Sequence, residues 1–170
     1  YNSDHIIKDL TGPITYKQLI KKSYIFANFL VKLKKKNKIK NLGLLLPNLN
    51  ATVINFLSCQ LADITPAMLN YSGGIKSVLD ACKLAQINHV ITHPLMVEKM
   101  KLEPLIESLK KANIEVLYLD EIVDHIKSHK LKYAFTSSIK KANKKINKNP
   151  KSTHKPACIL FTSGSEGAPK

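Results

Sequence analysis

A chain of 170 residues that is 44% hydrophobic and 23% charged can bury one sizeable core and has the composition of an ordinary globular domain. Its 27 basic residues against 12 acidic ones give a net charge of +15, which invites a nucleic acid or an anionic membrane as partner, yet every basic residue is Lys. Nucleic-acid recognition favours the planar, bidentate guanidinium of Arg, and an A/T-rich coding bias accounts for abundant Lys, Asn and Ile, so no nucleic-acid partner is expected.

In chain order, Thr15 and Gln18 have capping-box spacing, and Leu19, Ser23, Phe26, Ala27 and Leu30 follow at helical intervals, which predicts a helix over residues 16–35. The apolar run 41–46 is stopped by Pro47 and reads as a strand, after which Asn50 is expected to cap a helix carrying Val53, Ile54, Leu57 and Leu61. The alternation then repeats: strand 65–69, helix 72–86, strand 89–92, helix 102–112, strand 114–119 and helix 120–129. Strands that are apolar throughout and alternate with helices indicate an α/β fold, a mostly parallel sheet with helices on both faces. Residues 1–129 therefore form the expected core. Residues 130–155, rich in Lys, Asn and Ser with almost no apolar stripe, read as a solvated connector. Residues 156–170 read as a last apolar strand, Ala157 to Phe161, emptying into a glycine-rich string.

That string is Thr162-Ser163-Gly164-Ser165-Glu166-Gly167-Ala168-Pro169-Lys170. Ligands of open α/β sheets gather on loops at the carboxyl ends of strands, which is where this string falls. Two glycines let the backbone approach a ligand closely, three hydroxyls can donate, and Lys170 adds a positive charge at the far end. Successive N–H groups in such a turn form an anion-binding concavity suited to phosphate. The spacing G-x-x-x-x-G-K-[ST] cannot be laid on it, because Pro169 directly precedes the lysine, so a Walker-type site is excluded.

Taken whole, residues 162–170 resemble the phosphate-loop signature of the adenylate-forming (AMP-binding) acyl-activating enzymes, [ST]-[ST]-G-[ST]-T-G-x-P-K-G, at eight of the nine positions present. Upstream, Ile14-Thr15-Tyr16-Lys17-Gln18-Leu19 is similar to that family's "hTYxEL" opening. Gly43-Leu44-Leu45-Leu46-Pro47-Asn48, with the stretch to Ala67-Met68-Leu69-Asn70, is similar to its "VxLLLPN…PLN" region. The departure is Glu166, where most of the family has Thr. Glu166, taken with Pro66-Ala67-Met68-Leu69-Asn70-Tyr71-Ser72, is similar to a narrower branch, the acyl-acyl-carrier-protein synthetase part of bifunctional 2-acylglycerophosphoethanolamine acyltransferases.

The resemblance implies the amino-terminal part of the large domain of a fatty acid ligase that uses ATP and Mg²⁺. Thr162, Ser163, Gly164, Ser165, Glu166 and Gly167 would line the nucleotide phosphates, and Lys170 would be catalytic. The acyl acceptor would be acyl carrier protein or coenzyme A, and a lysophospholipid would be served by a linked acyltransferase domain. The setting would be cytoplasmic, with peripheral association at the inner face of the cell membrane. The adenine pocket, ribose-binding Asp, magnesium ligand and mobile lysine of the family fall after Lys170, so this chain alone is expected to be inactive and poorly soluble. An ordinary acyl-CoA ligase is the alternative within the family, and a basic nucleic-acid-binding module the alternative outside it.

Other features are read as structural. Cys59, Cys82 and Cys158 have no close spacing, which favours buried thiols over a disulfide framework or a zinc site. His125 and His129 lie four apart but lack the Glu of H-E-x-x-H, and read as a solvated helix face rather than a metal site. His5 and Asp9 are separated by three residues, one short of the H-x-x-x-x-D box of glycerolipid acyltransferases.

Overall fold

The computed structural model describes residues 5–9, 12–129 and 155–162. A short antiparallel hairpin opens the chain, β1 (His5–Asp9) and β2 (Gly12–Thr15), with Gly12 at φ 102° where an L side chain would be strained. It runs straight into α1 (Tyr16–Asn37). The Thr15 hydroxyl accepts from the Gln18 N–H at 3.2 Å and the Gln18 side chain accepts from the Thr15 N–H at 2.8 Å, which closes the expected capping box.

Next come β3 (Asn41–Leu44), α2 (Asn50–Leu61), β4 (Thr65–Met68), a 3₁₀ turn (Tyr71–Gly73) and α3 (Gly74–Leu84). They are followed by β5 (His89–Thr92), α4 (Pro94–Lys99), α5 (Glu103–Lys111), β6 (Glu115–Tyr118), α6 (Leu119–Ser128) and β7 (Ile159–Leu160). Strands β3 to β7 form one parallel sheet in the order β6-β5-β3-β4-β7, so β3 lies at the centre and the chain winds first to one side of it and then to the other. The fold is α/β, as the alternation predicts.

Alternating side chains divide the strands between two cores. Leu45, Ala67 and Val90 face α3, α4 and α5 through Val78, Met96, Leu105 and Leu109. Leu42, Leu44 and Ile91 face the other way, toward Phe26 and Leu30 of α1, Cys59 of α2 and Ile122 of α6. Gly43 is required by this packing: a Cβ there would lie 2.8 Å from Leu69 Cδ1 and 2.9 Å from Val90 Cγ2.

Four helices end in the same way. After α2, α3, α4 and α5 the left-handed position is taken by Asp63, Gln86, Lys101 and Asn113, at φ 51–59°. The next residue, Ile64, Ile87, Leu102 or Ile114, returns its N–H to the helix at 2.8–3.0 Å and buries its side chain. These are Schellman closures with the apolar contact that usually accompanies them, made without glycine.

Two local expectations are corrected. Asn50 does not cap α2; Leu49 holds that position, and Asn50 is the first helical residue, with its N–H donating to the Asp9 carboxylate of the hairpin. The buried stripe of α2 is Asn50, Thr52, Asn55, Ser58 and Cys59, while Val53, Ile54, Leu57 and Leu61 are only half-buried. Small and polar residues there let α1 come close enough for the Ser58 hydroxyl to reach a main-chain oxygen of α1. The hairpin and α4 fall outside the predicted elements. The last strand is shorter than 157–161, and the connector 130–154 lies outside the described residues. No helix among the described residues is long and apolar enough to cross a membrane.

Candidate phosphate-binding site

The carboxyl ends of the parallel strands gather four loops: Leu45–Leu49 after β3, Leu69–Gly73 after β4, His93 after β5 and Phe161–Thr162 after β7. β7 pairs with β4 in parallel register, Ala67 opposite Ile159 and Met68 opposite Leu160. That register brings together two strings that lie some ninety residues apart in the chain, 66–72 and 161–162. Both leave the sheet at the same level and on neighbouring strands. Tyr71 and Phe161 pack against the same core.

Of the predicted site residues the structure describes Thr162, which is exposed two residues after the end of β7. Ser163, Gly164, Ser165, Glu166, Gly167 and Lys170 lie outside the described residues. The loop opposite Thr162 is tightly organised. Asn70 Oδ1 accepts from the Ser72 N–H at 3.0 Å, and the turn leads through Gly73 to Gly74, whose φ of 81° opens α3.

Electrostatics separate the two halves of this sheet edge. At β5 and β6 a cleft of about 340 Å³ is lined by Glu98, Glu103, Asp120 and Glu121, a set that repels phosphate. The amino terminus of α2, which would otherwise attract an anion, is already occupied: the Asp9 carboxylate accepts from the Asn50 N–H and, at 3.0 Å, from Asn50 Nδ2, which also donates to the Gly12 carbonyl oxygen at 2.8 Å. The side bounded by β4 and β7 carries no acidic side chain among its described loop residues 69–74 and 161–162. The described part of this side therefore carries no negative charge that would repel an anion.

Composition and spacing gave no sign of the polar ties that hold these loops, since Asp9 and Asn50 are forty-one residues apart. The rings of His125 and His129, at the end of α6, have centroids 4.4 Å apart and are tilted by 37°, and the His129 Nδ1 lies 2.9 Å from the His125 carbonyl oxygen. Among the described residues no group of three His, Cys, Asp or Glu side chains is placed to hold a metal ion.

Comparison with known proteins agrees with this architecture. Residues 2–170 match the model of the AMP-binding enzyme family. The fold is similar to a fatty acyl CoA synthetase of Mycobacterium tuberculosis, with a TM-score of 0.66 and 16% identity over 94% of this chain and 29% of that one. It is similar also to the o-succinylbenzoate coenzyme A synthetase of Bacillus subtilis in complex with AMP, with a TM-score of 0.62 and 16% identity over 97% of this chain and 36% of that one. A benzoate CoA ligase of Burkholderia xenovorans gives a TM-score of 0.59 and 18% identity over 72% of this chain and 25% of that one. The chain thus spans between a quarter and about a third of the length of these structures. With the family model matched from the hairpin through the glycine-rich string, the chain belongs to the AMP-binding enzyme family.

Proposed function

We propose that this chain supplies the amino-terminal part of the large domain of an ATP-dependent fatty acid ligase, with residues 162–170 gripping the β and γ phosphates. The observation that carries the reading is the register of β7 on β4, which sets Thr162 at the carboxyl edge of a parallel sheet, where such folds bind ligands. In the reaction a carboxylate oxygen attacks the α-phosphorus of ATP. An O–P bond forms, the bond from the α-phosphorus to the bridging oxygen breaks, and pyrophosphate leaves with the electron pair. A thiolate then attacks the acyl carbon, and AMP departs as the thioester forms.

Thr162, Ser163 and Ser165 would donate hydroxyl hydrogens to phosphate oxygens, with backbone N–H groups of Gly164 and Gly167 beside them. Lys170 would neutralise charge on the departing pyrophosphate. Mg²⁺ would arrive with the nucleotide and offset the same charge, and Glu166 would sit against such a cation rather than against bare phosphate. The finer reading, transfer to acyl carrier protein in phospholipid acyl repair by a cytoplasmic, membrane-associated parent protein, is supported by Glu166 and the string 66–72. Coenzyme A as acceptor is the second reading, favoured by the CoA-dependent ligases among the fold neighbours.

The test is ATP–pyrophosphate exchange in the full-length enzyme. Lys170→Ala is expected to slow adenylation at least tenfold, by analogy with the roughly 2.7–4 kcal/mol lost with a single transition-state donor elsewhere. Unchanged exchange overturns the assignment.

A further inference from the structure

The strand that leads into the glycine-rich string is weakly held by its ladder. β7 has two residues and lies at the edge of the described sheet, paired with β4 alone. A register slip of one residue would turn Ile159 and Phe161 out of the core and misplace everything after them. Burial of Ile159 and Phe161 favours the native register, and a second hold lies at the opposite end from the loop.

There, two side chains at the end of α2 close on the segment entering β7, and Lys34 of α1 braces one of them. Lys155 Nζ lies 2.6 Å from Asp63 Oδ1, and Lys34 Nζ lies 2.9 Å from Asp63 Oδ2. Lys34 also donates to the main-chain carbonyl oxygens of Ala62, at 3.4 Å, and Asp63. Gln60 Nε2 donates to the carbonyl oxygen of Ala157, two residues before the strand. The corner from Gln60 to Asp63 thus holds residues 155–157 by both a main-chain and a side-chain tie, with Lys34 fastening the corner to α1.

Asp63 is not needed as Asp for the helix end. The same left-handed closure is made by Gln86, Lys101 and Asn113. A carboxylate at this position leaves its two oxygens for the two lysines, and their hydrogen bonds hold its pKa below the ordinary carboxylate value.

We infer that Asp63 is a positioning residue for nucleotide binding: by clasping Lys155 to Lys34 it helps set the register of β7 and hence the point, at Thr162, from which the glycine-rich string departs. This inference rests on the reading of residues 162–170 as a grip on the β and γ phosphates. On that reading the effect is confined to nucleotides that carry those phosphates, since AMP has neither of the two that the string would grip.

The experiment measures binding of Mg²⁺–ATP and of AMP to the full-length protein by calorimetry. Asp63→Asn, which tolerates the left-handed backbone but carries no charge, is expected to weaken ATP about three- to fivefold, the range of an exposed ion pair, and to leave AMP within about twofold. Lys155→Ala should reproduce this, and the double variant should be no weaker than either single one. Asp63→Gly, which relaxes the backbone and removes the carboxylate, should behave like Asp63→Asn although the helix end is preserved. ATP affinity unchanged in Asp63→Asn, or ATP and AMP weakened alike, overturns the inference. Gly164→Val, which crowds the loop backbone, separates the two claims. If it leaves ATP affinity intact, the phosphate-loop reading fails; if it weakens ATP while Asp63→Asn does not, only the positioning role fails.

Discussion

The hydroxyl of Ser58, with no exposure to solvent, lies 2.9 Å from the main-chain carbonyl oxygen of Ser23 and 2.6 Å from that of Ile54. One proton is shared between a contact within α2 and a contact to α1. The two helices meet there through small residues, and this meeting sets how α2, with Gln60 and Asp63 at its end, lies on the sheet.

Replacement of Ser58 should therefore act by size as well as by polarity. Ser58→Ala loses the shared hydrogen bond and is expected to cost about 1 kcal/mol. Ser58→Leu, which adds volume where the helix backbones are closest, should cost about 1–3 kcal/mol or more through forced displacement of α1. Urea unfolding measures both. A leucine variant as stable as the alanine variant would show that the helices are not in close contact at this point.

Gly43 should be intolerant of any side chain. A Cβ would meet Leu69 Cδ1 and Val90 Cγ2 well inside ordinary contact distance, and Val90 is β-branched and stiff. Gly43→Ala is expected to destabilise by about 1–3 kcal/mol. Combining it with Leu69→Ala should recover part of that loss, because the second change opens the space the first one fills. Strict additivity in a double-mutant cycle would contradict the packing described.

The features that were legible in the sequence are those encoded within a few residues. The Thr15–Gln18 capping box and the four-residue strand 89–92, buried throughout, depend on neighbours in the chain, and both form as read. The stripe of α2 was misread because its apolar residues point to the half-buried side, while the buried side holds Thr52, Asn55 and Ser58, of which Ser58 bonds to α1. α4 is too short to show a period, and its start is marked only by His93, whose Nδ1 accepts from the Leu95 N–H at 3.2 Å, and by Pro94. In the candidate site, the composition of residues 162–170 was legible, whereas the ties of Asp9 to Asn50 and of Asp63 to Lys155 span 41 and 92 residues and leave no local pattern.

The three thiols should react in a fixed order. Burial pushes Cys59 up to about 12 and Cys82 up to about 11, so at pH 8 the thiolate of Cys59 is on the order of 10⁻⁴ of the population. Cys158, beside β7, is partly exposed. With iodoacetamide under native conditions, peptide mass spectrometry should find Cys158 alkylated first, and Cys59 and Cys82 only on addition of denaturant. Early labelling of Cys59 would mean that α2 opens from the sheet.

The Lys155–Asp63–Lys34 clasp should leave a signature in the acid limb of stability. Hydrogen bonds from Lys155, then from Lys34, favour the charged carboxylate, so the folded pKa of Asp63 lies below the unfolded value of about 3.9. Between the two values the unfolded chain binds more protons than the folded one, and stability falls as the pH falls. The contribution is therefore fully present above about pH 5 and is lost as the pH drops through the folded pKa. The side chain of Asp63 is 47% exposed, so solvent screening holds the contribution to less than about 1 kcal/mol. The difference in unfolding free energy between the wild type and Asp63→Asn should be constant from pH 5 to 8 and shrink below about pH 4. Added salt should reduce it at every pH, because the Debye length falls to about 3 Å at 1 M. A difference that persists unchanged at pH 2 would show that Asn disturbs the left-handed backbone rather than the ion pairs, and would remove the charge from the argument.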